Sequence, residues 1–316
     1  MKEIATIILN WNNADLTIRA SRKFLEFEQD KTSIIIVDNG SFKKEKEKLK
    51  EYAINEKFII IEEDDIENSK MLSSNLFEDN NIILFLRKNL GYAAGNNRGI
   101  KLALLLGYRY ILISNNDVIL DKPILEKLRD ILESNISIAI IGPKIVSKSK
   151  ISQGPFGKPG LVDSILMPLF YPIILLIKKM IKPKYKKNKY EYCNISFVYR
   201  IMGCFMLMKV EAIAKAGYFD EHTFLYGEEE ILSEKLLKIG YRIAYYPELY
   251  VFHFHEESTR RISRNRKFVI QMKSEIYYFK YYRKWNIIFI ILFVFAQMTM
   301  SYLWAPILDK MKNFKR

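Results

Sequence analysis

The chain predicts an α/β fold with a mostly parallel central sheet covered on both faces. Three observations carry that expectation. Short β-branched runs such as "TIIL" and "SIIIV" are apolar throughout instead of alternating, the pattern of strands buried on both faces. Between the first two lies an amphipathic stretch of helical length, so that strand, helix and strand fit one crossover of about 35 residues. Each run also ends abruptly in polar residues, and ligands of parallel sheets sit outside the carboxyl ends of the strands.

Taken in order, residues 4–9 and 33–37 are strands and residues 14–27 the helix between them. The first strand runs into Asn10-Trp11-Asn12-Asn13 and the second into Asp38-Asn39-Gly40-Ser41. Residues 58–61 and 82–86 read as further strands, separated by a polar stretch with Asp64-Asp65, a solvated acidic loop. "RKNLGYAAGNNRGIKLALLLG" is a glycine-punctuated loop feeding a helix that ends at Leu106. Strand 110–113 follows and stops at Ser114-Asn115-Asn116-Asp117. Pro123 marks the start of a helix over 123–133, and "ISIAIIGPKI" is one more strand.

The character changes beyond residue 146. Turn chemistry in "GPFGKPG" leads to the apolar "LVDSILMPLFYPIILLIKK", broken by Asp163, Pro168 and Pro172, and then to seven lysines within 178–189. Regular patterning returns with a strand-like run over 197–210, then a helix over 227–239 closed by Gly240, two strands and a histidine-bearing loop. The expected organisation is therefore 1–146 as one half of a catalytic domain, 147–194 as a basic and apolar insertion, 195–258 as the second half, and 259–316 as C-terminal helices. The last of these begins with a basic helix over 260–283. Residues 285–308 then contain only Asn286, Gln297, Thr299 and Ser301 as polar interruptions. That length suits a bilayer span, with tryptophans near both ends, although a helix packed on a partner has the same composition. Arg283 and Lys284 on one side and Lys310 and Lys312 on the other give no orientation.

Fifty basic against 36 acidic residues, a net charge of +14, favour anionic partners: nucleotide, lipid or phosphorylated small molecule. The cationic residues are not interleaved with aromatics on a strand, so nucleic acid is not expected. Two cysteines, Cys193 and Cys204, without a C-x-x-C pair argue against structural zinc or a disulfide scaffold. "MKEIATIILNWNNAD" lacks the long apolar core of a signal peptide and leads to the expectation of a cytosolic-facing protein.

Asp117 is the first candidate for chemistry. A hard divalent ion wants carboxylate oxygen and keeps waters and substrate phosphates around it, though "SNND" is also a good Asx turn. Asp38, at the end of a neighbouring strand, could accept a nucleobase N–H. Gly91 to Asn97 lets backbone approach a ligand at a helix start, where the dipole favours negative charge. Its spacing is not the dinucleotide fingerprint. Arg98, one turn inside, could reach phosphate or simply lie on the surface. Glu228-Glu229-Glu230 suit a helix N-terminus whatever their task, yet adjacent carboxylates also raise one another's pKa toward that of a general base. In "FHFH" the alternating His253 and His255 face one side of an extended segment; either could complete a metal site or be a structural histidine.

Five stretches occur in an order that resembles inverting family 2 glycosyltransferases: "TIILNWNN…IIIVDNGS", "NLGYAAGNNRGI", "YILISNNDVIL", "GCFMLMKVEAIAKAGYFDE" and "FLYGEEEILSEKLLKIGYRIAYYPELYVFH". The likeness covers about residues 3–258 without the insertion, and looks closest to the rhamnosyltransferase and galactofuranosyltransferase-like branch. It implies a GT-A type nucleotide-diphospho-sugar transferase fold, with a membrane-associating C-terminal helical segment beside it. Asn10, Asn12 and Asp38 match nucleoside-holding positions. Gly91, Asn96 and Arg98 fall in the loop and helix expected near the diphosphate. Asn115-Asn116-Asp117 matches the Asp-x-Asp metal motif with its first aspartate replaced, leaving Asp117 to hold Mg²⁺ or Mn²⁺. His253 matches a position that adds a metal ligand in some members. Glu229 matches the acid that deprotonates the acceptor hydroxyl, with Glu228 as the fallback. The implied activity is transfer of a sugar from dTDP-rhamnose or a UDP-hexose. The acceptor is a lipid-linked or polysaccharide one, used in cell-surface polysaccharide synthesis at the cytoplasmic face of an anionic membrane. A catalytically degenerate scaffold protein of a polysaccharide assembly complex is the alternative, suggested by Asn115.

Overall fold

A computed structural model describes residues 2–67, 79–149, 151–180, 195–254 and 263–308. The lysine run beyond residue 180, Cys193 and His255 lie outside the described residues.

The N-terminal half alternates strands and helices as its apolar periodicity requires: β1 (Ile4–Asn10), α1 (Ala14–Glu28), β2 (Thr32–Asp38), α2 (Lys43–Glu56), β3 (Ile59–Glu62), α3 (Glu63–Glu67), β4 (Ile82–Phe85), α4 (Tyr92–Leu105) and β5 (Tyr110–Asn115). A short β6 (Val118–Ile119), α5 (Leu125–Ser134) and β7 (Ile138–Ser147) follow. Strands β3, β4, β2, β1 and β5 are parallel neighbours in that order. Their side chains divide between two apolar layers, one under α1, α2 and α5 and one under α4. α2 was not expected from its sequence. "KKEKEKLKEYAINE" is nearly all charged, and only Leu49, Tyr52 and Ala53 are buried, so its apolar stripe is too narrow to announce a helix. The expected start of α5 at Pro123 moves to Leu125 because Glu28 of α1 accepts the backbone N–H groups of Ile124 and Leu125, the latter at 2.9 Å.

The second half completes the same sheet. The run expected as one strand over 197–210 is two, β8 (Ser196–Val198) and β9 (Phe205–Lys209), separated by a turn at Met202-Gly203. β9 lies antiparallel between β5 and β7, so the residues on either side of the insertion share one sheet. After α8 (Val210–Lys215) and α9 (Glu228–Lys238), the two strands expected beyond Gly240 are one long β10 (Arg242–His253). It is parallel to β7, with a register shift between Tyr246 and Tyr250 where Pro247 interrupts the ladder. At its end His253 pairs with Val118 of β6, which brings the histidine beside Asp117.

The insertion begins with a π-helical turn (Val162–Leu166), which runs into α6 (Met167–Leu169) and α7 (Tyr171–Met180). The C-terminal helices are α10 (Arg264–Tyr277), which continues as a π turn to Tyr282, and α11 (Ile287–Met298), which continues as another to Trp304. They join in a third apolar cluster around Phe279, Ile290 and Phe293, with Ile165 from the insertion and Ile231 from α9.

Candidate active site

A cavity of about 610 Å³ opens at the carboxyl ends of β1 and β5. It is lined by Leu9, Trp11 and Asn39, by Asn115 to Asp117, by Glu228 to Glu230, and by Phe279 and Phe293. The polar cluster that interrupts the β5 strand therefore shares one cavity with the acidic start of α9.

Asp117 is buried, and its Oδ1 has no hydrogen-bond donor among the described residues. That oxygen lies 3.1 Å from Nε2 of His253, whose Nδ1 is 2.8 Å from Oε1 of Gln153. Gln153 thus holds one ring nitrogen while the other faces the Asp117 carboxylate. Two electron-pair donors converging on one point in a buried place suit a divalent cation. No group of three or more His, Cys, Asp or Glu side chains is placed to hold a metal among the described residues, so water and phosphate oxygens would fill the other positions. Gln153 was missed by the sequence reading, since only the return of the chain after β7 brings it to His253.

The acidic helix start is the second part. Gly227, with φ +84°, caps α9 and turns the chain so that three carboxylates follow at once. Glu229 accepts the Gly203 N–H at 3.0 Å through Oε1, and Tyr92 donates its hydroxyl to the Gly203 carbonyl at 2.7 Å. A Cβ on Gly203 would lie 2.2 Å from Glu229 Oε1, so only glycine admits the carboxylate there. Glu228 is buried with Oε1 lacking a donor among the described residues, and burial followed by the charge of Glu229 holds its pKa well above the usual carboxylate range. Burial and then Glu229 also push Glu230 up to about 7, even though Arg200 pairs with it at 2.8 Å. Cys204 ties the two parts together. Its thiol pKa is raised by burial and then by the charges of Asp117 and Glu229.

The remaining expected site residues divide. Asn10, Asn12 and Asp38 form a buried network behind the cavity wall. Asn10 Nδ2 donates to Asp38 Oδ1 at 2.7 Å, Ser41 N–H to Asp38 Oδ2 at 3.1 Å, and Phe42 N–H to Asn12 Oδ1 at 2.7 Å. Burial raises the Asp38 pKa. Asn116 extends the same network, donating to Thr17 Oγ1, which in turn donates to Asn10 Oδ1. Gly91 lines the cavity, but the space a Cβ would take is filled by the Phe224 carbonyl 2.5 Å away. Its glycine serves the approach of two loops. Asn96 is buried and donates to the Tyr92 carbonyl within α4. Arg98 is not brought to the cavity; it pairs with Glu63 at 3.8 Å, because one turn into α4 the side chain already points toward β3. Asn39, not singled out from sequence, donates to Asn89 and the Gly91 carbonyl and accepts Leu90 N–H, stitching the loops after β2 and β4 together.

A sheet in this order, with a strand-end carboxylate and an acidic helix start lining one cavity, is the GT-A glycosyltransferase architecture. The chain belongs to glycosyl transferase family 2, whose family model matches residues 6–215. No curated protein sequence matches it. Among solved structures it is similar to GalNAc-T7 with UDP, GalNAc and Mn²⁺ (TM-score 0.57, 13% identity, covering 90% of this chain and 49% of that one). It is also similar to the mannosyltransferase PcManGT from Pyrobaculum calidifontis in complex with GDP-Man and Mn²⁺ (TM-score 0.52, 12% identity, 95% and 70%). The chain spans about half the length of the first of these.

Proposed function

We propose that the protein is an inverting glycosyltransferase that moves a sugar from a nucleoside-diphosphate donor to an acceptor hydroxyl. The observation that carries this reading is that Asp117 and Glu229 line one cavity, near enough to each other that both charges act on Cys204. Asp117 and His253 would hold Mg²⁺ or Mn²⁺, which supplies a Lewis acid for the negative charge developing on the leaving diphosphate. Mn²⁺ in both similar structures supports that choice of metal. Glu229, positioned by the Gly203 N–H, takes the proton of the acceptor hydroxyl as its oxygen attacks the anomeric carbon. The bond to the diphosphate breaks on the opposite face, and one displacement inverts the centre. Glu228, whose carboxyl burial makes reluctant to ionise, is the fallback for that role. Trp11 and Asn39, which line the cavity, would face the nucleoside, with Asn10, Asn12 and Asp38 holding the loops that carry them.

For the donor, dTDP-rhamnose comes first and a UDP-hexose second, on the likeness to the rhamnosyltransferase and galactofuranosyltransferase-like branch. The acceptor is a lipid-linked saccharide or growing polysaccharide at the cytoplasmic face of the membrane, supported by the apolar C-terminal helix and the net charge of +14. The test is a panel of dTDP-, UDP- and GDP-sugars with Mn²⁺, Mg²⁺ or EDTA, read as release of nucleoside diphosphate and stabilisation by the donor. One donor that gives metal-dependent release supports the transferase. Neither release nor binding with any donor would favour the degenerate scaffold, the reading that Asn115 at the first metal-motif position suggests.

A further inference from the structure

Residues 287–308 form a helical stretch of 22 residues with mean hydropathy 2.0, long enough at ~1.5 Å per residue to cross a bilayer. Their packing opposes that reading. Phe279 of the π turn after α10 stacks on Trp285 at 4.0 Å and meets Phe293 at 4.8 Å. Gln297 donates to the Ser164 carbonyl at 3.0 Å, and Trp304 Nε1 to the Leu169 carbonyl at 3.1 Å. The helix is thus held to the insertion and to the π turn after α10, and through the cluster that includes Ile231 it meets α9. Its middle residues, Phe293 and Gln297, line the same cavity as Asp117, Glu228 and Glu229. A transmembrane orientation would carry those carboxylates toward hydrocarbon depth, where an ionised group is very costly.

The opposite face of the helix is bare. Only 17% of its most apolar window is buried, and Ile288, Ile291, Leu292, Phe295, Met298 and Tyr302 are exposed. Val162, Phe170, Ile173 and Ile177 of the insertion are exposed as well. The insertion packs beside the helix: the π turn Val162–Leu166 and α6 lie against α11, and α7 lies against the π turn that follows α11. Two segments more than a hundred residues apart in sequence therefore contribute to one apolar surface. The exposed Arg264, Arg266, Lys273, Lys280 and Lys284 stand on the helix before it, and lysines follow both apolar segments in the sequence. Apolar face and basic flanks together are complementary to an anionic phospholipid surface.

We propose that α11 and its continuation lie in the plane of an anionic bilayer surface and do not span it. The outer face and the insertion enter the lipid, while the inner face walls the cavity. This rests on the membrane part of the proposed function and deepens it, because it places the cavity mouth at the lipid headgroups, where a lipid-linked acceptor keeps its tail.

The experiment uses the full chain with a C-terminal epitope tag, bound to sealed vesicles of phosphatidylglycerol and phosphatidylcholine or of phosphatidylcholine alone. Flotation is followed by protease treatment from outside. The expected result is flotation that is stronger with phosphatidylglycerol, with tag and catalytic unit cleaved from the same side. Ile291→Glu with Phe295→Glu should lower bound protein by tenfold or more, and Ile173→Glu should lower it by a smaller factor. Circular dichroism should be unchanged in each, since all three side chains are exposed. A tag protected inside the vesicles, or in inner-membrane vesicles of expressing cells, would show a span and overturn the proposal. No flotation, with a dimer by light scattering that Phe295→Glu dissociates, would overturn it in favour of a second copy on this face. No flotation with a monomer would overturn it as well. Ile173→Glu binding like the wild type would remove the insertion from the lipid surface. None of these outcomes touches donor turnover, which the sugar panel judges separately.

Discussion

At the sheet end of the cavity, the polar side chains stand on strand ends and bond to one another: Asn116 to Thr17, Thr17 to Asn10, Asn10 to Asp38, and Asn39 to the loop around Gly91. At the helix end, the wall is made of rings such as Phe279 and Phe293 and of carboxyl groups that burial and mutual charge make reluctant to ionise. The sheet end is a fixed frame in which, among the described residues, the buried Oδ1 atoms of Asp117 and Asn96 have no donor, and of these two only Asp117 lines the cavity. The helix end is shaped by packing, with Glu229 held by the Gly203 N–H and Glu230 paired with Arg200. A buried network with all its bonds made positions atoms closely, and one unsatisfied group within it marks where a ligand belongs. A wall of rings excludes water and tolerates variation in what it faces.

Substitutions can break that contrast in descending order of effect. Asp117→Asn should lower metal-dependent turnover by ~10³-fold or more, because the amide keeps the shape but loses the charge that holds the cation. Wild-type rates in that variant would remove Asp117 from the reaction. Glu229→Gln should slow transfer by about 10²–10⁴-fold with donor affinity nearly unchanged, the signature of a general base. Equal losses in donor binding and rate would instead put Glu229 on the donor.

Gly203→Ala sharpens the comparison, since it leaves every charge in place. Its Cβ must displace the Glu229 carboxylate, and a misplacement of about 1 Å costs up to ~10²-fold. The expected loss is tenfold to a hundredfold in kcat, with the fold intact; unchanged kcat would show that the Gly203 N–H does not set the base. Asn39→Ala tests the frame itself. Losing three buried hydrogen bonds should destabilise the protein by about 2–3 kcal/mol in chemical denaturation and weaken donor binding. A neutral result would mean the two loops hold without it.

The smallest effect is in pH. Glu230 keeps its proton to about pH 7 in the folded chain, against an ordinary value of 4.5. The folded state thus binds more protons in that window, so the contribution of Glu230 to stability is full below 4.5 and falls as pH rises toward 7. Glu230→Gln should flatten that part of the stability profile. An unchanged slope between pH 4.5 and 7 would assign the proton to another group.

Much of the frame could be read from the residues. Continuous apolar runs ending in Asn10, Asp38 and Asn115 require strands buried on both faces, and such strands expose function only at their ends. The acidic start of α9 was legible because Gly227 and three glutamates form a helix beginning that needs no tertiary help. α2 was hidden because its packing face is three residues wide. β8 and β9 read as one strand because an apolar run does not say where its pairing partner changes.

The sequence by itself determined the strands and helices of the first half apart from α2, the acidic start of α9 and the strand end at Asp117, and the presence of a long apolar C-terminal helix. These depend on local periodicity and on residue type. Only the tertiary structure decided that His253 meets both Gln153 and Asp117, that Gly203 bonds Glu229, that Arg98 pairs with Glu63 away from the cavity, and that one face of the apolar helix packs beside the cavity. Each depends on a contact between segments distant in the chain, and hydrophobic pattern does not specify which surfaces will meet.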